Sequence, residues 1–501
     1  MNLPPSDTQG LIRHPAVDRA AAALRAAGVG EAYLVGGTVR DWLLGRGDAA
    51  RDLDVAIPAG ARAAAEGAAR ALDGTVVPLD DATVRVVFAG PGGPWRLDVA
   101  AFRGPGIRED LALRDFTVDA MGVALLGREP AALLDPTGGR ADLEARMIRH
   151  AYAAAFADDP LRTLRAVRLA AQLHGAIAPD TRPLIRQGAA GLARTAGERI
   201  RDEVIKIFGA PAAARWAREL DDLGLLEVLV PEAGAMKGVP PSPPHRLGLW
   251  EHSLETLRLA EAVWADPAGW FPEDAVEVAR RGDDVLEGEV TRRSLAALFA
   301  LLHDVGKPAT RSVDGEGRVR FVGHAEAGAA ILEGLAARLR LGRRAAGFLD
   351  RMERGHMRPI LLAAEPALTP RARYRFFRDL WEVALDLLVH SVADVGATGG
   401  VGGPAWEAHL RFVREMLAFR RECVRRVQEA PPLSGDEVMA LTGIGPGPLV
   451  GHVLERVAEE AALGQIRSRG ECLEMVRREF ARWRREFEAA PDAASSPPKT
   501  P

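Results

Sequence analysis

Short valine-rich runs bounded by Gly, Pro and Asp crowd the first 150 residues of this chain and then all but vanish. "EAYLVGG", "RDLDVAI", "GTVVPL", "TVRVVFAG" and "WRLDVAAF" have the length and residue types of strands, and "TVRDWLLG" and "ARAAAEGAARAL" read as helices among them. After Ala151, stretches such as "DDPLRTLRAVRLAAQL", "GERIRDEVIKIFG" and "AAARWARELDDLGLLEVL" repeat their apolar residues at helical spacing. The fold class is therefore α+β, a small mixed sheet in front and all-α units behind it.

With 501 residues, 48% of them hydrophobic, the chain can bury several cores; at ~100–200 residues per domain, three or four units are expected. "PPSPP" (Pro240 to Pro244) and "GATGGVGGP" (Gly396 to Pro404) read as the breaks between helical units. The net charge of −4 excludes a generally basic nucleic-acid binder, so a polyanion has to meet a local patch. Three arginine-rich segments offer one: Arg338 to Pro359, Arg371 to Arg378 and Arg411 to Arg426. Each alone reads as a solvated helix face with i,i+4 pairing; three in one half of the chain point toward RNA backbone contact. Cys423 and Cys472 are the only cysteines. They provide neither a disulfide framework nor a cysteine metal cluster, and a cytoplasmic location is expected. No apolar run reaches the ~18 residues of a membrane span, no membrane association is expected, and "MNLPPSDTQG" lacks a signal-peptide pattern.

The densest chemistry lies in "LVGGTVRDWLLGRGDAARDLDVAI" (Leu34 to Ile57). A strand that stops at Gly36-Gly37 before a helix lets backbone N–H groups approach an anion, although a plain turn would look the same. In a strand Asp52 and Asp54 point to one side while Leu53 and Val55 face a core. Two adjacent carboxylates repel unless a cation lies between them, and hard oxygen ligands suit Mg²⁺. Turn and acids together favour metal-assisted phosphoryl or nucleotidyl transfer.

"LVGGTVRDWLLGR…RDLDVAI" resembles the head-domain signature of the class II tRNA nucleotidyltransferase and bacterial poly(A) polymerase family, part of the polymerase-β-like superfamily. "LRDFTVDAMG" (Leu113 to Gly122), "LLDPTGGRADLEARMIRH" (Leu133 to His150), "FADDPLRTLRAVRLAAQL" (Phe156 to Leu173) and "GERIRDEVIKIF" (Gly197 to Phe208) follow in the family's order. The resemblance implies that Asp52 and Asp54 hold Mg²⁺ at the catalytic centre, that Gly36, Gly37 and Arg40 contact the triphosphate, and that Arg114 and Asp115 recognise the ribose. Asp98 is a candidate further acid on a neighbouring strand. Leu113 and Asp119 depart from the family, where arginine and asparagine are usual, and put ribose selection in question. The family's base selector falls on Asp159 and Arg162. Pro160 suits a first helical turn, leaving Asp159 near the N-cap and Arg162, Arg165 and Arg168 along one face as nucleotide-binding candidates. A carboxylate that accepts and a guanidinium that donates fit the amine and bare ring nitrogen shared by cytosine and adenine, and refuse uracil and guanine.

A second constellation comprises His303-Asp304 in "LAALFALLHDVGKPATR", with His252, His324, His356 and Asp394. It resembles an HD phosphohydrolase domain, which implies His252, His303, Asp304 and Asp394 as ligands of a divalent metal, with His324 and His356 accessory. "PPLSGDEVMALTGIGPGPLVGHVLERVAEEAALGQI" (Pro431 to Ile466) resembles the tail of HD-bearing members.

The expected organisation is a helical lead-in over 1–30, a polymerase-β-like nucleotidyltransferase head over 31–150, a base-selecting neck over 151–238, an HD domain over 245–397, a tRNA-binding tail over 404–488 and a disordered end over 489–501. The expected activity is addition of C, A or both from CTP and ATP to the tRNA 3′ end, with a possible HD phosphohydrolase activity. A poly(A) polymerase, or an HD hydrolase with a degenerate head, is the alternative. Only ten residues separate Arg103 from Arg114, whereas relatives that build all of CCA carry a longer mobile loop there. CC addition with a separate A-adding partner enzyme is therefore favoured.

Overall fold

The computed structural model describes residues 8–46, 51–80, 82–127, 132–429 and 433–489. It forms two compact units, one built on the chain up to Ala210 plus Arg218–Leu229, the other on Pro211–Ala217 and the chain from Val230 onward.

The first unit holds a seven-stranded mixed sheet: β1 (Ala32–Val35), β2 (Asp52–Ile57), β3 (Thr75–Pro78), β4 (Thr83–Gly90), β5 (Gly93–Ala101), β6 (Gly122–Leu126) and β7 (Leu133–Leu134). Their order is β3-β4-β5-β2-β1-β6-β7. Only β2 and β5 run parallel; the other neighbours are antiparallel. The sequence dictates which face is buried: in β2, Leu53, Val55 and Ile57 are in the core while Asp52 is exposed. One side is covered by helices Pro15–Ala26 and Ala61–Leu72, whose small faces lie so close that a Cβ on Gly67 would stand 2.5 Å from the Ala27 Cβ. Helices Arg162–Gln172, Arg182–Gly188 and Gly197–Phe208 follow. Met147–Ile148 and Ala176–Ile177 pair in parallel and bind the start of this helical region to the end of the sheet region.

The second unit is almost all helix. Leu249–Ala265, Arg292–Leu302, His324–Arg338, Arg343–Gly355 and Ala384–Gly399 build it, the last buried nearly all round. Two small hairpins, Val285–Glu287 with Val290–Thr291 and Ser312–Val313 with Val319–Arg320, are strands that alternation cannot reveal, because two or three residues hold no period. Pro404–Glu429 leads to Gly435–Thr442, Pro448–Ala462 and Arg469–Glu488, packed around Val438, Val453, Val457, Cys472, Val476 and Trp483. Ser434 and Glu437 form a capping box that starts the first of these three. Both cysteines are buried free thiols. Among the described residues no helix is long and apolar enough to cross a membrane. The reading of 489–501 as disordered, the first seven residues of the lead-in and Pro431-Pro432 of the tail segment fall outside the described residues, except for Ala489.

The three arginine-rich segments turn out to be largely engaged with carboxylates. Arg371 pairs with Glu459 and Glu460, Arg420 with Glu277, Arg421 with Glu273 and Asp274, Arg425 and Arg426 with Glu422, Arg351 with Glu382, and Arg354 with Asp350. Of these pairs, only Arg354–Asp350 and Arg426–Glu422 are the expected i,i+4 pairs; most of the others reach across to another element. Residues adjacent in space but distant in sequence, such as Glu459 for Arg371, supplied the missing counterions.

Candidate functional sites

Three acids share one face of the sheet in the first unit. Asp54 and Asp98 stand opposite each other across the parallel β2–β5 pairing, and Asp52 lies two residues along β2 opposite Arg96. The glycine turn closes on them. Gly36 has φ +65, where a side chain would be strained, and a Cβ there would meet Arg114 Nη1 at 3.0 Å and Asp54 Oδ2 at 3.3 Å. Thr38 fastens the turn to the strand: its Oγ1 donates to Asp52 O (3.2 Å) and accepts from Asp54 N (2.8 Å). Burial pushes the Asp54 carboxyl up to about 6, with Asp98, Asp119 and Asp52 adding to the shift and Arg114 opposing it. A buried carboxylate among three others is a place that calls for a cation, and an all-oxygen donor set on a strand pair fits Mg²⁺.

Around this centre, arginines and acids pair off. Asp98 receives two hydrogen bonds from Arg85, Nε to Oδ1 and Nη2 to Oδ2, both 2.8 Å. Arg40 Nη1 donates to Asp119 at 2.6 Å, and its Nε and Nη2 donate to Asp41. Arg114 donates to the buried Asp110, which also accepts from Arg103 N. The connector 104–113 is thereby held as a short helix, Ile107–Ala112.

Helix Arg162–Gln172 carries the base-selector candidates. It starts after Leu161; Asp159 is two residues further out, in extended conformation, and its Oδ1 accepts from Leu161 N at 3.2 Å. Its other oxygen accepts from Arg199 (2.8 Å). Arg162 donates to the Tyr152 hydroxyl (2.7 Å) and Ala155 O (3.0 Å), so it does not bond the Asp159 side chain directly. Arg165 donates to Asp115 (2.8 Å) and, like Arg168, to the buried Glu203.

The second unit gathers its histidines as densely. His252 Nε2 is 3.1 Å from Asp394 Oδ1 and 3.8 Å from Asp304 Oδ2, and His303 Nε2 is 3.2 Å from that same Asp304 oxygen. The other Asp304 oxygen lies 3.7 Å from His324 Nε2 and 4.0 Å from His356 Nε2. Each of three rings is oriented by a backbone carbonyl: Nδ1 of His303 by Ala300 O, of His324 by Phe321 O and of His356 by Glu353 O. A carbonyl accepts only, so Nδ1 bears the proton and the Nε2 lone pairs point inward. His324 and His356 bring two such nitrogens within 3.1 Å of each other, and the buried Nε2 atoms of His252 and His303 lie against carboxylates without hydrogen-bond geometry among the described residues. Converging lone pairs and carboxylates fit a divalent metal ion. Three donor groups emerge: His252, His303 and Asp304; His303, His390 and Asp394; and Asp304, His324 and His356.

The regions that carry these two centres match known families. Residues 32–106 and 96–149 match the family model described as the poly A polymerase head domain, 176–236 the probable RNA and SrmB-binding site of polymerase A, and 249–384 the HD domain. The A-adding tRNA nucleotidyltransferase of Deinococcus radiodurans is 36% identical over 89% of this chain and 95% of its own. The chain belongs to the tRNA nucleotidyltransferase and poly(A) polymerase family. The CC-adding tRNA nucleotidyltransferase of Thermus thermophilus is 34% identical over 88% of this chain and 92% of its own. In fold, this nucleotidyltransferase resembles the Thermotoga maritima CCA-adding enzyme complexed with tRNA, with a TM-score of 0.62 at 23% identity over 95% of this chain and 98% of that one.

The nucleotidyltransferase fold thus brings together Gly36, Gly37, Arg40, Asp52, Asp54, Asp98 and Arg114, and separately His252, His303, Asp304, His324, His356 and Asp394. Several participants escaped sequence reasoning. His390 sits one helical turn before Asp394, an i,i+4 pair on an apolar helix that was open to detection. Lys307, whose Nζ is 2.6 Å from Asp304 Oδ2, lies three residues after it. Glu203 and Arg85 gave no local signal, since their partners are 35 or more and 13 residues away in sequence.

Proposed function

We propose that the protein is a template-independent tRNA nucleotidyltransferase whose head (31–150) forms the phosphodiester bond, whose neck (151–238) selects C or A, and whose tail (404–488) helps hold the tRNA. The observation that carries this is the arrangement of Asp52, Asp54 and Asp98 on one sheet face against the Gly36–Gly37 turn. Asp52 and Asp54, with Asp98 as a further acid, would hold magnesium ions, whose chemistry would be activation of the primer 3′-hydroxyl and neutralisation of the leaving pyrophosphate. The chain's own residues do the positioning. Turn amides at Gly36 and Gly37 and the Arg40 guanidinium face the triphosphate, Arg114 and Asp115 face the ribose, and Arg162 with Asp159 reads the base, backed by Arg165 and Arg168. Asp119 stands against Arg40 at the place where the family usually has asparagine, so ribose recognition falls to Arg114 and Asp115.

Addition of the two cytidines remains the favoured specificity, leaving the terminal A to a separate A-adding enzyme. In its support, both ends of connector 104–113 are tied to buried Asp110, so this connector is held rather than free to re-aim the neck arginines. The 36% identity to an A-adding relative supports the second reading, A addition. One assay tests both: tRNA lacking CCA with CTP alone, and tRNA ending in CC with ATP alone. Efficient incorporation in the first and none in the second is expected; the reverse establishes A addition, and no incorporation in either refutes the transferase.

The HD domain (245–397) is proposed to hydrolyse phosphoesters with a divalent metal on His252, His303, Asp304 and Asp394. His324 and His356 offer a second position across Asp304. Release of phosphate from nucleotide or cyclic-phosphate substrates, lost on Asp304→Ala, tests it.

A further inference from the structure

Each outer acid of the head is met by an arginine directly across the sheet. Arg85 on β4 is in register with Asp98 on β5, and Asp98 with Asp54 on β2, so Arg85, Asp98 and Asp54 form one row. One step along, Arg96 is in register with Asp52, 3.3 Å away. The two pairs differ in grip. Arg96 makes a single long contact with both side chains about half exposed, whereas Arg85 covers both Asp98 oxygens at 2.8 Å with the acid 14% exposed. A bidentate fork engages one lone pair on each oxygen in strong charge-assisted bonds, and its guanidinium charge opposes a cation approaching the remaining ones while it lasts.

We propose that Arg85 is a positioning residue that acts as the head's internal counterion: it holds Asp98 away from the divalent metal and so sets how much metal is needed to engage the third acid. Asp54, Asp52 and Asp98 form a dense negative centre, and a cation covalently tethered beside it keeps that centre balanced without metal. The same positive charge opposes an arriving divalent ion, and Asp98 joins the ion's shell only when the fork opens. With both partners partly accessible (27% and 14%), the fork can open without unpacking the core. The inference rests on the metal-binding reading of the head given above.

Manganese binding to the full chain, followed by the electron paramagnetic resonance of free Mn²⁺, tests it in a cycle of wild type, Arg85→Met, Asp98→Asn and the double variant. The HD site contributes equally to all four. Arg85→Met is expected to bind Mn²⁺ at the head about fivefold or more tightly, the size of removing one nearby charge at intermediate screening. The gain should vanish in the double variant, and Arg85→Lys, which keeps the charge, should stay near wild type. A purely structural role would loosen binding instead, so unchanged or weaker binding by Arg85→Met overturns the inference. Asp54→Asn separates the two readings: if it binds as much Mn²⁺ as wild type, the head is no metal site and both fall; if it loses a site while Arg85→Met gains nothing, only Arg85's role falls.

Discussion

Arg40 and Asp119 meet at 2.6 Å, both side chains almost buried, beside the turn that closes on Asp54. With Asp41 holding Nε and Nη2, the guanidinium is fixed and its charge is matched by two carboxylates. Asp119 also adds to the negative field at Asp54. Asp119→Asn keeps a hydrogen-bond acceptor for Arg40 while removing one of those charges. Nucleotide KM should fall several-fold with kcat little changed, as measured by initial rates over a CTP series.

Replacing Asp54 by Asn should abolish nucleotide addition, by about 10³-fold or more, while leaving tRNA affinity within about twofold, because phosphate contacts elsewhere carry the binding. Filter binding beside a primer-extension assay checks both.

The same substitution should make the metal-free protein more stable. In the folded protein the Asp54 carboxyl is raised from 3.8 to about 6. The stabilising contribution of its proton is complete below the unfolded value and is lost as pH rises through about 6. At pH 7 in EDTA, Asp54→Asn should therefore gain on the order of 1 kcal/mol, and the gain should disappear in melts at pH 4.

Glu203 anchors two guanidinium groups of helix Arg162–Gln172, the proposed base selector: Arg165 and Arg168. Glu203→Gln should cost about 1.5–3 kcal/mol in denaturant unfolding. It should also loosen Arg165 from Asp115, raising misincorporation of UTP relative to CTP.

His303→Ala should remove the proposed phosphohydrolase activity and leave nucleotide addition intact, since no ligand is shared between the two centres. Parallel loss of both activities would make the helical domain a scaffold. Phosphate release and primer extension on one preparation decide it.

Much of this was legible in the chain. Alternation exposed β2 with Asp52 and Asp54 on one side, because a strand's period fixes which side chains share a face. Local spacing also placed His303-Asp304 at a helix end. Hidden were the answers to charge: Arg85 for Asp98, Asp119 for Arg40, Glu203 for Arg165, Glu459 for Arg371. Each is a pairing between elements, determined by which strand or helix lies next to which. The arginine stripes hid their partners for that reason, since many of their neutralising acids come from other helices.

Thr38 has a consequence of its own. One hydroxyl is shared between the carbonyl of Asp52 and the amide of Asp54, so the glycine turn and the two acids travel as one piece. In the proposed function a triphosphate tugging on the turn would move the carboxylates with it, and any drift that improved the grip on one substrate group would misplace the chemistry at the other. Selection on such a joint acts on both at once, which leaves discrimination among nucleotides to residues outside it, in the proposed function to the helix of Arg162.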